Sequence, residues 1–117
     1  MERRNDAMGR NTILWKLSRE ILGKDSTDYI PTGEHPETDV LFLRLNLLLD
    51  NGQFNAAENL LFDAVEEELP GILTLAVDVY ARLNLLPDAV LLASNYSKEE
   101  ILEGLLDVMD HFGIDLS

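Results

Sequence analysis

The stretch DNGQFNAAENLLFDAVEE, residues 50–67, decides the fold. Asn51-Gly52 breaks the pattern that precedes it, because glycine turns the chain at no steric cost. After the break, Ala57, Leu60, Leu61, Ala64 and Val65 recur at helical spacing. Glu58, Asp63, Glu66 and Glu67 fall mostly on the other side. The stretch therefore predicts an amphipathic helix over 54–68, entered through a tight turn. The period of two that a half-buried strand needs is absent here and elsewhere in the chain.

Upstream, Thr38 is placed to cap a helix from about Asp39 to Asn51. Val40, Leu41, Phe42, Leu43, Leu45, Leu47, Leu48 and Leu49 make that segment apolar nearly all round. Such a pattern predicts a helix buried on most sides, at the centre of the core. Downstream, Pro70 and Gly71 restart the chain. Ile72, Leu75, Ala76, Val79 and Leu83 predict a further helix to about Asn84. Pro87 suits the first turn of a short helix over 87–94. Ser97-Lys98-Glu99-Glu100 has the form of a capping box, the clearest helix start in the chain. Ile101, Leu102, Leu105, Val108, Met109 and Phe112 follow it, and Gly113 with Ile114 supplies the stop.

Near the N-terminus, residues 11–23 read as a helix. Leu14, Leu17 and Ile21 share a face at i, i+3, i+7 spacing, with Ile13 beside them, and Met8, Trp15 and Leu22 widen the apolar surface. Gly23 ends it. Pro31, Gly33 and Pro36 then break any periodicity. The expected organisation is a basic amphipathic helix over 1–24, a loop over 25–37 and an acidic helical region over 38–117, forming one domain overall. The fold class is all-α, built of antiparallel helix hairpins with about five to six helices.

Charge is unevenly placed. The net charge of the 117 residues is −13, yet residues 1–24 carry +3 and residues 25–117 carry −16. An acidic body repels nucleic-acid phosphates and anionic lipid, so neither is expected as its partner. The basic arm could dock on the acidic body of its own or another subunit. There are no cysteines, which removes disulfides, thiolate metal sites and thiol catalysis. No apolar run approaches the roughly 18–20 residues of a membrane span, and no signal-peptide pattern opens the chain. A cytoplasmic, soluble protein is the expectation.

An offset of 32 residues relates two parts of the chain. It maps Leu41 to Leu73, Leu45 to Val77, Leu48 to Tyr80, Phe54 to Leu86 and Ala57 to Ala89. Each unit would be a long helix, a tight turn and a second helix. Leu41–Pro70 resembles a tetratricopeptide repeat in its Gly52, Phe54, Ala57, Leu61 and Ala64, although Leu41 stands where that family usually has Trp. The runs DNGQFNAAENLLFDAVEE, VDVYARLN and SKEEILEGLLDV, with GKDS near the start, also resemble a family of short uncharacterised bacterial all-helical proteins. That resemblance covers nearly the whole chain and implies a helical fold without implying an activity.

No catalytic, cofactor or metal residue is assigned. Asp107, Asp110 and His111 are the best metal candidate, since Asp107 and His111 share a helix face. A solvated helix end with a favourably placed histidine explains them as well. The carboxylates Glu58, Glu66, Glu67, Glu68, Glu99, Glu100 and Glu103 are read as a solvated face, because acid catalysis needs a pair held in a cleft. Ser97 is accounted for as a cap. Phe42, Phe54, Phe62, Tyr80 and Phe112 are read as core.

The remaining candidates form an interaction surface: Leu14, Trp15, Leu17 and Ile21 on the first helix, and Arg44, Asn46 and Arg82 on the acidic body. The first helix could pack on its own core, pair with a second subunit as a homodimer, or lie on a membrane surface or another partner. Arg44 and Arg82 could receive a partner's carboxylate or pair within the chain. The expected function is a non-catalytic protein–protein interaction or scaffolding module of helical-repeat type. The alternatives are a small-molecule or metal-dependent enzyme without a recognisable motif, and a nucleic-acid or membrane accessory protein acting through the basic helix.

Overall fold

A computed structural model describes residues 9–116. Met8, and with it residues 1–7 of the expected basic helix over 1–24, lie outside the described residues. Helix α1 spans Gly9–Lys16 and runs on into a π-helical turn, Leu17–Ile21. It is followed by α2 (Pro36–Asp50), α3 (Phe54–Glu66), α4 (Ile72–Leu85), α5 (Asp88–Ala93) and α6 (Lys98–Phe112). Every regular element among the described residues is helical, as the periodicity predicts.

The core is centred on α4, whose Ile72, Leu75, Ala76, Val77, Val79, Tyr80, Ala81 and Leu83 are all buried. It packs against α1, α2, α3 and α6. Helix α2, expected at the centre, sits at the edge. Only Thr38, Leu41 and Leu45 of it are buried. Val40, Leu43 and Leu47 are 58%, 60% and 65% exposed. The reason is a shortage of neighbours: α2 is covered by α3 and α4, which leaves its outer face uncovered. All-round apolarity says what could be buried; it does not supply a helix to do the burying.

Local start signals divide in the same way. At α6 the capping box forms, with the Ser97 Oγ accepting from the Glu100 N–H at 3.3 Å. Gly113 adopts a left-handed φ of 67°, and the Ile114 N–H reaches the Met109 carbonyl at 2.8 Å. At α2 the cap falls elsewhere. The helix begins at Pro36, which suits a first turn, with His35 as the preceding residue. Thr38, expected to cap, is fully buried inside the helix, and its hydroxyl donates to the Pro70 carbonyl at 2.7 Å. It joins the start of α2 to the turn before α4.

The π turn alters α1. The Leu22 N–H bonds to the Leu17 carbonyl at 2.9 Å, an i→i−5 link that takes in one more residue than an α turn. Ile13, Leu14, Leu17 and Ser18 are buried against α4 and α6, while Ile21 turns out to 43% exposure. The i, i+7 relation between Leu14 and Ile21 holds only for a regular α-helix.

The segment between α1 and α2 is tied down. Tyr29 is buried, its N–H donates to Asp78 Oδ2 at 2.7 Å, and its hydroxyl donates to Asp39 Oδ1 at 2.5 Å. Asp39 also accepts from the Gly33 N–H at 2.9 Å.

The 32-residue correspondence does not extend through its second unit. Ala57 is fully buried, whereas its counterpart Ala89 is exposed on a helix of six residues. Helix α4 packs on α6 as well as on α2 and α3, and the short α5 does not take the place that α3 has beside α2.

Candidate interaction surface

The structure divides the first-helix candidates between core and surface. Leu14 and Leu17 are buried in the chain's own core, at 5% and 0% exposure. Trp15 remains 53% exposed and Ile21 43% exposed. The Arg19 guanidinium lies 5.8 Å from the Trp15 ring centroid and 3.8 Å from Asp25. The other cations of this region meet neutral oxygens. Arg10 donates to the Asn84 side chain at 2.7 Å, Lys16 to the Leu116 carbonyl at 3.5 Å, and Lys24 to the Asp28 carbonyl. Those contacts hold the side chains without cancelling their charge.

Of the candidates Arg44, Asn46 and Arg82, expected on one face of the acidic body, Asn46 and Arg82 are brought together by α2 and α4. Arg82 donates to Asp78 Oδ1 and to Asn46 Oδ1, each at 2.7 Å, and its guanidinium lies 5.6 Å from the Phe42 ring centroid. Asp78 is buried at 5% exposure and also holds the Tyr29 N–H. The cluster is an internal clamp that fixes the segment before α2 to α4. Arg82 is thus paired within the chain. Asp78 lies four residues before Arg82, a helical ion-pair spacing that could have flagged it.

Arg44 belongs to a different feature. It lies exposed in an open groove of about 570 Å3 between α2 and α3 and makes no ion pair among the described residues. Val40 and Leu60 provide apolar walls, and Glu37, Asp63 and Glu67 stand on the rim. Leu43 and Leu47 continue the apolar surface along α2. The groove mixes aliphatic contact area with a net negative field.

A second cleft, of about 270 Å3, lies between α3 and α6. It is lined by Glu58, Asn59 and Phe62 from α3 and by Glu100, Glu103, Gly104 and Asp107 from α6. The Tyr80 hydroxyl donates to Glu58 Oε2 at 2.6 Å from below. Burial pushes the Glu58 carboxyl above its ordinary range. The hydrogen bond from Tyr80 acts against the shift, and the nearby Glu100 and Asp107 add to it. Burial likewise raises the phenols of Tyr80 and Tyr96, with Glu58 reinforcing both. The Glu58 carboxyl therefore holds its proton more tightly than an ordinary carboxyl does.

The metal candidate does not assemble. His111 Nε2 lies 3.1 Å from Glu68 Oε2, while Asp107 faces the cleft. Among the described residues, no group of three or more histidines and carboxylates is placed to hold an ion. No helix among them is long and apolar enough to cross a membrane.

Fold and surface together define an all-helical domain with α4 at its centre, an apolar edge helix and two acidic clefts beside α3. A family model described as "Family of unknown function (DUF6483)" matches residues 8–113, and the chain belongs to that family. No curated protein and no solved structure matches the chain.

Proposed function

We propose that this chain is a non-catalytic protein–protein interaction module that receives a partner on the outer face of α2 and the adjoining α2/α3 groove. The observation that carries the reading is the outward stripe of α2. Val40, Leu43 and Leu47 follow one another at i, i+3, i+7 spacing, and each is more than half exposed. Single exposed aliphatics are ordinary on protein surfaces. Several aligned on one helix face, beside a groove with polar rims, are the usual form of a recognition surface. A partner helix with apolar residues at the same spacing would bury that stripe and the groove walls at once. The acidic rim favours basic flanking residues on the partner. The α3/α6 cleft does not alter the reading, since Glu58 is already engaged by Tyr80 and is surrounded by carboxylates.

The test is a selection from a displayed library of amphipathic helical peptides, run against the natural chain and against Leu43→Asp/Leu47→Asp. The expected result is enrichment of peptides with an apolar i, i+3 or i+4, i+7 stripe and basic flanks. Their affinity should fall at least roughly tenfold on the double variant, equivalent to about 1.4 kcal/mol. Absence of enrichment, or enriched peptides that bind both proteins equally, would remove the basis of the proposal.

A further inference from the structure

Resting on the α2/α3 surface being a docking site, we propose that its occupant is helix α1 of a second copy of this chain. The two surfaces are complementary in chemistry. The outer side of α1 presents Trp15, the single tryptophan of the chain, half exposed, with the Arg19 guanidinium 5.8 Å from its ring centroid. Residues 9–24 carry four basic groups and one acidic group, a net +3. Three of those cations, Arg10, Lys16 and Lys24, are satisfied by neutral oxygens, so the positive field persists. The groove offers the converse: Val40 and Leu60 as walls, with Glu37, Asp63 and Glu67 outweighing the single cation Arg44. Its volume of about 570 Å3 falls within the range of clefts that take small ligands, ~300–1,000 Å3, and is ample for one indole.

A chain's own α1 does not reach its groove: it packs on α4 and α6, and none of the residues lining the groove comes from α1. A contact between α1 and the groove is therefore one between molecules. Two bodies of net charge −13 repel each other in most orientations. A basic apolar face set into an acidic apolar groove is the approach that this distribution favours. Each copy uses α1 once and its groove once, so two copies that exchange α1 reciprocally close as a two-fold pair, each groove meeting the other copy's α1.

Two variants that leave the net charge unchanged separate the surfaces. Trp15→Ala removes the donor side chain, and Val40→Ser weakens the groove. Both positions are more than half exposed, and circular dichroism checks that each variant keeps the helical fold. Light scattering on the natural chain up to about 1 mM, the weak end of specific association, should show mass rising with concentration. Each variant alone should associate at least roughly tenfold more weakly, a loss equivalent to about 1.4 kcal/mol. The deciding step is the mixture. The Trp15→Ala chain has no tryptophan and an intact groove. Titrated into the Val40→Ser chain, it should shift that chain's Trp15 emission to the blue, saturably, and stop at a one-to-one complex. A natural chain that stays monomeric up to about 1 mM overturns the inference. So does a natural chain that associates while the mixture leaves the Trp15 emission unchanged. Neither result bears on the peptide selection, which tests the groove against foreign helices and stands or falls separately.

Discussion

The Tyr80 hydroxyl of α4 meets the Glu58 carboxylate of α3 at 2.6 Å in the space that Gly104 of α6 leaves open. A Cβ at position 104 would overlap the Tyr80 hydroxyl and come within 2.6 Å of Glu58 Oε2. Three helices are thus tied together at one point, through a residue whose lack of a side chain is the condition for the contact.

Gly104→Ala should therefore destabilise the protein, although alanine is ordinarily better than glycine inside a helix by about 1 kcal/mol. Displacing Tyr80 from its hydrogen bond and overpacking the site should outweigh that gain, for a net loss of about 1–3 kcal/mol. Urea denaturation monitored by circular dichroism measures it. A variant more stable than the natural chain would show that the Tyr80–Glu58 contact moves aside freely.

Glu58 makes stability depend on pH. Its folded-state affinity for a proton is raised above the ordinary value of 4.5, chiefly by burial. The folded chain thus holds the proton more tightly than the unfolded chain. Stability from this group is complete below the unfolded pKa and is lost as pH rises through the folded one. Glu58→Gln mimics the protonated form and keeps an acceptor for Tyr80. It should match the natural chain near pH ~4 and exceed it near pH ~7.5, with denaturation midpoints at the two pH values as the readout. A difference between the two proteins that is the same at both pH values would contradict the raised proton affinity.

Arg82→Met should expose the cost of an uncompensated carboxylate at Asp78, whose side chain is only 6% exposed. Allowing for solvent at Arg82, itself 37% exposed, the loss should be about 2 kcal/mol. Adding Asp78→Ala should cost less than the sum of the two single changes, because the residues form one network. Amide exchange at Tyr29, whose N–H is held by Asp78, should quicken in either single variant. Strict additivity, with Tyr29 still protected, would show that the clamp does not hold that segment.

Leu14→Ala and Trp15→Ala test whether α1 is core or appendage. Leu14 is buried at 5% exposure, so its truncation should cost about 2–4 kcal/mol. Trp15 is 53% exposed, and its loss should cost less than about 1 kcal/mol in the monomer. Thermal melts at low protein concentration compare the two. Equal costs would mean that α1 does not sit on α4 and α6 as described.

What was legible in the sequence follows the range of the forces involved. Helix α6 could be read from Ser97 to Gly113, because capping and stop signals act within a few residues. The same logic failed at Thr38, where a contact 32 residues away, the Pro70 carbonyl, took the hydroxyl that a local cap would have used. Trp15, Arg44, Asn46 and Arg82 are all interaction-surface candidates on the sequence alone. Only the fold could separate Arg82, clamped by Asp78 and Asn46, from Arg44, which faces the open groove. Tyr29 and Tyr96 lie outside the helices and are buried at 7% and 1% exposure, and no periodic pattern marks residues in such segments.

By itself the sequence determined the helical class, most of the helix ends and the separation of a basic start from an acidic body, since each depends on neighbouring residues or on composition. The tertiary structure decided which helix became the centre. Helix α4 has neighbours on several sides, and α2, no less apolar in pattern, packs mainly on α3 and α4. Burial depends on how many helices surround a given one, and that number is a property of the assembled packing that no single segment encodes. The exposed stripe of Val40, Leu43 and Leu47, and the groove beside it, exist because the packing ran out of helices on that side.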